Sequence, residues 1–313
     1  MARTHRSLRA ASTRRCAGRG FTYTDASGQR ISAPGDLERI RALAIPPAWR
    51  EVRIATTAGA KVQAMGVDDA GRTQYLYHSS WRARQDARKF DRALTLANRL
   101  TTVRRAVTRD LRGRRGPRAQ ALAAAILLVD RAGVRAGGRR YAQENGTFGV
   151  TTLQSCHVRV EGDEVFFDFP GKSGAQWEFC LRDADLARYL AGLPARPAGH
   201  PAFGYDDGGG FQRLGASALN SYLREISRMN VSVKDLRTWR GTAVAAGSLD
   251  ASRRAGVDAE TAWKRAVDRA AQWLTNTPAV ARGSYVDPRL LEAYRDGKTA
   301  TTDCAAARLL AGQ

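Results

Sequence analysis

The sequence predicts an α+β protein, with a small β-rich N-terminal domain and a larger, mainly helical domain that carries an inserted β-hairpin. Three observations predict it. Residues 20 to 78 read as short alternating runs separated by turn residues. Beyond about Ala119 the apolar positions recur at helical spacing. Within that helical region, "EVFFDFPGKSGAQWEFCL" reads as two strands about a tight, glycine-flanked turn. At 313 residues the chain suits about two domains, and 43% hydrophobic residues suffice for a core.

Charge narrows the partners. Fifty-one basic against thirty acidic residues give +21, which calls for a polyanion, nucleic acid ahead of an anionic membrane. The longest apolar run, "ALAAAILLV" from Ala121, is too short to span a bilayer. The basic N-terminus has no apolar segment behind it and is not read as a secretory signal. Cys16, Cys156, Cys180 and Cys304 form no CxxC pair and the histidines are scattered, so no metal site is read and the thiols are expected free. No Walker-type glycine loop appears, and no nucleotide cofactor is expected.

The elements follow in order. Residues 1–19 are expected to form a flexible basic arm. Residues 20–95 form the β-rich domain, from "GFTYTD", "REVRIATT", "KVQAMGV" and "TQYLYH", with one helix over "GDLERIRALA" started by Asp36. Between 81 and 115, twelve Arg or Lys residues face Asp86, Asp91 and Asp110, with Phe90, Leu94, Ala97 and Leu100 at helical spacing. This reads as an amphipathic helix with a basic face, either lying on a phosphate backbone or merely solvated. Residues 96–300 form the helical domain, with a buried helix over "RAQALAAAILLVDRAGVRAG" and further helices over "ASALNSYLREISRM", "DLRTWRGTAVAAGS" and "VDAETAWKRAVDRAAQWL". Residues 301–313 are expected to be a tail.

Candidate chemistry gathers on few residues. Lys172 is one of only six lysines and sits at the hairpin tip. It is either a solubilising turn residue or a proton donor, a role arginine cannot fill. Ser232 and Asp235 fit a capping box that puts Arg237 in the first turns of a helix, where an anion is favoured. Arg135 follows the buried helix in "VRAGG", and a structural ion pair is the alternative for either arginine. Tyr285 stands among small residues in "NTPAVARGSYVDP", nine positions after Asn276.

In sum, the chain resembles a type IB DNA topoisomerase of the short viral and bacterial branch. The resemblance runs from about Gly18 to Gly297 and rests on "GRTQYLYH", "YAQENGTFGVTTL", "GKSG", "KDLRTW", "NTPAVARGSYV" and "LEAYRDG" in that order. It implies a catalytic set of Tyr285, Arg135, Lys172, Arg237 and Asn276. Tyr285 would attack a DNA phosphodiester to give a 3′-phosphotyrosyl bond. Arg135 and Arg237 would hold the non-bridging oxygens, Asn276 would add a donor where other branches use histidine, and Lys172 would protonate the departing 5′-oxygen. Gln74, Tyr75, Tyr77 and Tyr141 match DNA-contacting positions, with packing as the alternative, and Lys234 is expected to contact DNA or support its helix. The resemblance further implies double-stranded DNA as partner, a monomer closing as a clamp, no required metal or ATP, and a cytoplasmic, nucleoid-associated location.

Two departures stand out. Relatives often carry a polar or basic residue where Gly138 stands and acidic residues near Arg139 and Arg140, which alters the expected local phosphate contacts but not Arg135. Arg240 occupies a place often small or uncharged, where it is expected to strengthen DNA binding nonspecifically. The rival readings are a tyrosine recombinase or integrase and a non-enzymatic architectural DNA-binding protein. Lys234, three residues before Arg237, stands where recombinases carry histidine. An architectural protein would be indifferent to Tyr285→Phe.

Overall fold

Period-two alternation in the N-terminal strands is answered by a sheet that buries residues on both faces. The computed structural model describes residues 8, 10–18 and 20–312. The chain divides into two units, Met1–Arg88 and Lys89–Gln313. In the first, β1 (Ser12–Ala17), β2 (Gly20–Thr24), β3 (Arg50–Ile54), β4 (Val62–Val67) and β5 (Thr73–Tyr77) form an antiparallel sheet in the order β2-β1-β3-β4-β5. Helix α1 (Pro34–Ala42) supplies Ile40 to a cluster with Val52, Ile54 and Ala64, against which Leu76 packs. Tyr75 and Tyr77, its neighbours on β5, pack instead against Leu8, Ala11, Ala55 and Val62.

Helix α2 (Ser79–Ala97) contains the boundary between the units and is followed by α3 (Leu100–Leu111). The second unit is organised around α4 (Pro117–Ala132), in which every residue from Ala121 to Asp130 is buried. A helix apolar all round belongs in the centre of a core. It ends at Gly133, whose φ of 70° is left-handed and whose missing Cβ would fall 2.6 Å from the Trp273 ring. The chain continues through α5 (Arg139–Asn145) into the antiparallel sheet of β6 (Val158–Glu161), β7 (Glu164–Pro170) and β8 (Gln176–Arg182). After α6 (Ala184–Ala191) and the pair β9 (Gly204–Asp206) and β10 (Phe211–Arg213) come α7 (Ala216–Ser227), α8 (Val233–Arg254) and α9 (Ala259–Leu274). The last helices are α10 (Pro278–Ser284), α11 (Arg289–Arg295) and α12 (Asp303–Leu310).

Five sequence expectations are corrected, the last of them Arg240. The arm over 1–19 is not wholly an arm: residues 12–17 are β1, paired to both β2 and β3, with Leu8 and Ala11 buried. Residues 1–7, 9 and 19 lie outside the described residues. The basic stretch 81–115 is two helices, broken at Asn98 and Arg99 so that Leu100, Val103 and Val107 can face α4's cluster. Helix α1 starts at Pro34, whose fixed φ suits the first helical position, and Asp36 lies in the first turn.

The fourth correction concerns the expected tail, which is helix α12 with Ala306, Ala307 and Leu310 in the core. Its first residue, Asp303, accepts from Arg104 Nη1 at 2.7 Å and from Arg240 Nη1 at 2.8 Å, while Arg104 Nε donates to Asp130 at 2.7 Å. Arg240, expected to face DNA, is thus engaged in an internal ion-pair network, with its side chain 19% exposed. The carboxylates of α4 and α12 account for an arginine at that position.

Removing one member of a partly buried pair leaves the others uncompensated. We expect Asp303→Ala to lower the free energy of urea unfolding by about 1–3 kcal/mol. Unchanged unfolding together with weakened DNA binding in Arg240→Ala would return that arginine to a DNA-binding role.

Candidate functional site

The site is assembled from the ends of three helices in the second unit. Past Gly133, the chain leaves α4 in extended form and presents Arg135. Its carbonyl accepts from Val150 N–H at 2.8 Å, and Ala136 carbonyl accepts from Thr151 N–H at 2.9 Å. Gly149 permits this approach, because a Cβ there would lie 2.5 Å from Arg135 oxygen. The "NGTFGVTT" run therefore serves as a backbone splint for the Arg135 loop.

Helix α8 supplies Arg237. Its N-terminus is closed as the sequence predicts: Ser232 N–H donates to Asp235 Oδ2 at 2.9 Å and Ser232 Oγ at 2.7 Å. Arg237 is 3% exposed. Its Nη2 lies 3.4 Å from Leu274 carbonyl oxygen at the end of α9, and its guanidinium carbon lies 5.3 Å from the Tyr285 ring centroid.

The third end is the turn between α9 and α10. Thr275 takes a left-handed φ of 49° and stops α9, which turns Asn276 back toward Arg135. Arg135 Nη2 donates to Asn276 Oδ1 at 2.5 Å. Thr277 caps α10 and Pro278 takes its first position. Tyr285 is the residue that ends α10, half-buried, its N–H donating to Ala281 carbonyl at 2.9 Å.

Among the described residues, four nitrogens in this cluster are buried and have no hydrogen-bond partner: Arg135 Nη1, Arg237 Nε, Arg237 Nη1 and Asn276 Nδ2. A buried donor without an acceptor typically costs about 1–3 kcal/mol, and more when charged. The electrostatics agree. Burial pushes the Arg237 guanidinium below its usual range; the Tyr285 phenol acts the other way, and Arg135 adds to the lowering. Burial likewise lowers Arg135. Both start so high that they stay charged at neutral pH. Two cations and an amide are thus gathered beside a phenol, a set of donors whose chemistry suits a tetrahedral oxyanion.

The structure brings together Arg135, Arg237, Asn276 and Tyr285. Lys172 is exposed in a single 3₁₀ turn (Lys172–Gly174) at the tip of the β7–β8 hairpin, and among the described residues no hydrogen bond or ion pair joins it to the other four. Lys234 is exposed in the first turn of α8, and Tyr141 is 36% exposed on α5. In the first unit Gln74 Nε2 donates to Asp68 Oδ2 at 2.8 Å, while Tyr75 and Tyr77 stack at 6.1 Å and Tyr77 stacks on Trp81 at 4.1 Å. These tyrosines pack and remain half-exposed.

Sequence reasoning missed three supports of the Tyr285 turn. Gly241 lies on α8 where a Cβ would be 2.9 Å from Tyr285 oxygen. Thr242 Oγ1 donates to that same carbonyl at 3.0 Å. Lys89 Nζ donates to Gly283 carbonyl at 3.0 Å, although only 8% of the residue is exposed. Lysine scarcity was a usable signal for Lys89. Thr242 had none, since one threonine inside a long helix looks like any other.

Comparison with known proteins gives two family matches. Residues 78–304 match the family described as eukaryotic DNA topoisomerase I, catalytic core. Residues 20–68 match bacterial DNA topoisomerase IB, N-terminal domain. Among relatives, DNA topoisomerase 1B of Acanthamoeba polyphaga mimivirus is 28% identical over 273 residues, covering 83% of this chain and 80% of that protein. DNA topoisomerase 1 beta of Arabidopsis thaliana is 27% identical over 171 residues, 52% of this chain and 17% of that protein. DNA topoisomerase 1B of Vaccinia virus (strain Copenhagen) is 24% identical over 121 residues, 39% of this chain and 38% of that protein.

A buried guanidinium with two of its three nitrogens unpartnered should weaken the free protein. Arg237→Met keeps the length and removes the charge, so we expect it to raise the free energy of unfolding by about 1–2 kcal/mol while disabling the site. Chemical denaturation of the ligand-free variant reads this, and clear destabilisation would mean Arg237 is an ordinary structural cation.

Proposed function

The chain belongs to the DNA topoisomerase I family and is a type IB enzyme, and on that premise we propose that it relaxes positive and negative supercoils by cutting and resealing one strand of duplex DNA. The observation that carries the mechanism is the set of four unpartnered buried donors beside Tyr285.

In the proposed reaction, Tyr285 Oη gives its phenolic proton to solvent water and attacks the scissile phosphorus as the bond to the 5′-oxygen breaks. The product is a 3′-phosphotyrosyl ester and a free 5′-hydroxyl. Arg135 Nη1 and the Nε and Nη1 of Arg237 donate to the non-bridging oxygens, whose charge grows in the transition state. Asn276 Nδ2 adds a neutral donor that does not titrate. Lys172 gives its proton to the leaving 5′-oxygen. The cut strand rotates, and religation is the same path reversed. Because the ester conserves the energy of the bond, the cycle uses neither ATP nor a required metal.

The DNA is also proposed to meet Gln74, Tyr75 and Tyr77 on the first unit and Tyr141 and Lys234 on the second. One chain would then act as a clamp, in the cytoplasm and on the nucleoid. Among the described residues no helix is long and apolar enough to cross a membrane.

The test is relaxation of supercoiled plasmid in EDTA without ATP, quenched with detergent to trap covalent protein. Wild type is expected to relax both signs and leave protein on a 3′ end, while Tyr285→Phe binds DNA and leaves none. Absence of relaxation by the wild type would sink the reading. For the proton donor, Lys172→Ala should slow cleavage by about 10²–10⁴-fold. A substrate with sulfur at the bridging 5′ position should recover most of that loss, because a thiolate leaves without needing a proton.

A further inference from the structure

We propose that Thr242 is a positioning residue for the nucleophile, one hydroxyl that sets where Tyr285 stands relative to Arg237. The proposal rests on the cleavage chemistry given above and adds a residue to it.

The need comes from the geometry of a helix end. Tyr285 closes α10, where the last carbonyls have no partner within the helix. A side chain carried on such a turn would swing with the backbone unless something outside the helix fixes it. Thr242 Oγ1 donates to Tyr285 carbonyl at 3.0 Å and accepts from Asp287 N–H at 3.2 Å. One hydroxyl therefore ties both sides of the turn, donating its one proton and accepting at one of its two lone pairs. The residue is 1% exposed, so water does not compete for either bond. Threonine also suits the task through its branched Cβ, which leaves few χ1 choices in a helix.

The partner surface is equally specific. Gly241 brings the α8 backbone against the same turn, where an added Cβ would lie 2.9 Å from Tyr285 oxygen, 3.0 Å from its Cβ and 2.9 Å from Leu274 Cδ1. Gly241 stands four residues after Arg237, one helical turn along the same face. The same helix thus carries the cation that meets the phosphate and the groups that hold the attacking residue's backbone. Distance between attacking oxygen and phosphorus becomes a property of one rigid element.

Beyond the turn, Asp287 is 2% exposed and bound by Arg289 Nη2 at 2.6 Å, so the residue whose N–H donates to Thr242 is itself anchored. A misplacement of about 1 Å at a reacting centre can lower a rate by about 10²-fold. Binding of DNA, which depends on phosphate contacts over a broad surface, should not notice it.

The experiment measures single-turnover cleavage of a DNA duplex that traps the covalent complex, with DNA affinity and thermal midpoint measured in parallel. Wild type, Thr242→Val and Thr242→Ser are compared. Valine keeps the volume and removes both bonds, and we expect cleavage slowed about 10- to 100-fold with DNA affinity within about twofold. Serine restores the hydroxyl and should recover most of the rate. If valine does not fold, Thr242→Cys takes its place, since a thiol is a weak donor and acceptor, and the same slowing is expected. Cleavage by valine at the wild-type rate overturns the proposal, as does a serine variant no faster than valine. A wild type that fails to cleave at all points instead to the cleavage chemistry being wrong, which separates the two failures.

Discussion

Two positive charges are buried beside one another with several of their donors unanswered, and much of the second unit can be understood as the means of keeping them there. Arg237 is almost wholly buried and Arg135 is half-buried, yet among the described residues no carboxylate pairs with either, and Asn276 Oδ1 and two backbone carbonyls act as acceptors. Left alone, such groups would find carboxylates. Arg104 and Arg240 do so, in the network with Asp130 and Asp303 on a neighbouring stretch of the same unit. On the proposed function, the difference in carboxylate partners would separate arginines that hold the fold from those kept available for a ligand. An available guanidinium is a standing free-energy deficit, offset only when an anion arrives.

That deficit demands rigidity from everything around it. Three devices supply it, each local and each different. Gly149 lets the "NGTFGVTT" backbone lie against the Arg135 loop. Ser232 and Asp235 close the start of α8 one turn before Arg237, with Arg92 Nε 3.3 Å from the same carboxylate. Lys89, Gly241 and Thr242 grip the backbone around Tyr285. On the proposed mechanism, these side chains are held through their backbones because their own polar ends would be needed for the reaction.

How much of this was legible in the sequence follows from what sets each feature. The strands from β2 to β5, the helices from α7 to α9 and the capping box at Ser232 are governed by local pattern, and the sequence carried them. β1 was hidden because its partners lie elsewhere in the chain: "STRRCA" has no apolar alternation, and it forms by pairing with β2 and β3. α12 looked like a tail because its short apolar stripe gains meaning only against α8 and α11. Arg135, Arg237, Asn276 and Tyr285 could be picked out by motif. That their donors are unanswered could not, since satisfaction of a hydrogen bond is a property of three-dimensional neighbours.

The placement of Lys172 follows from the same electrostatics. A third cation buried beside Arg135 and Arg237 would add like-charge repulsion to a site already lacking counter-charge, and its own proton would be released. On an exposed hairpin tip it stands in solvent, apart from the buried guanidinia. The tip is built for reach. Gly171 sits where a Cβ would strike the Trp177 ring, and Gly174 takes a φ of 74°, so the turn is narrow and its lysine projects. Arginine in this place would bring charge but keep its proton. On the proposed mechanism the division is therefore one of timing: fixed charge is buried in advance as guanidinium, and the transferable proton is held in solvent on lysine, delivered only when DNA brings the negative charge that makes its approach favourable.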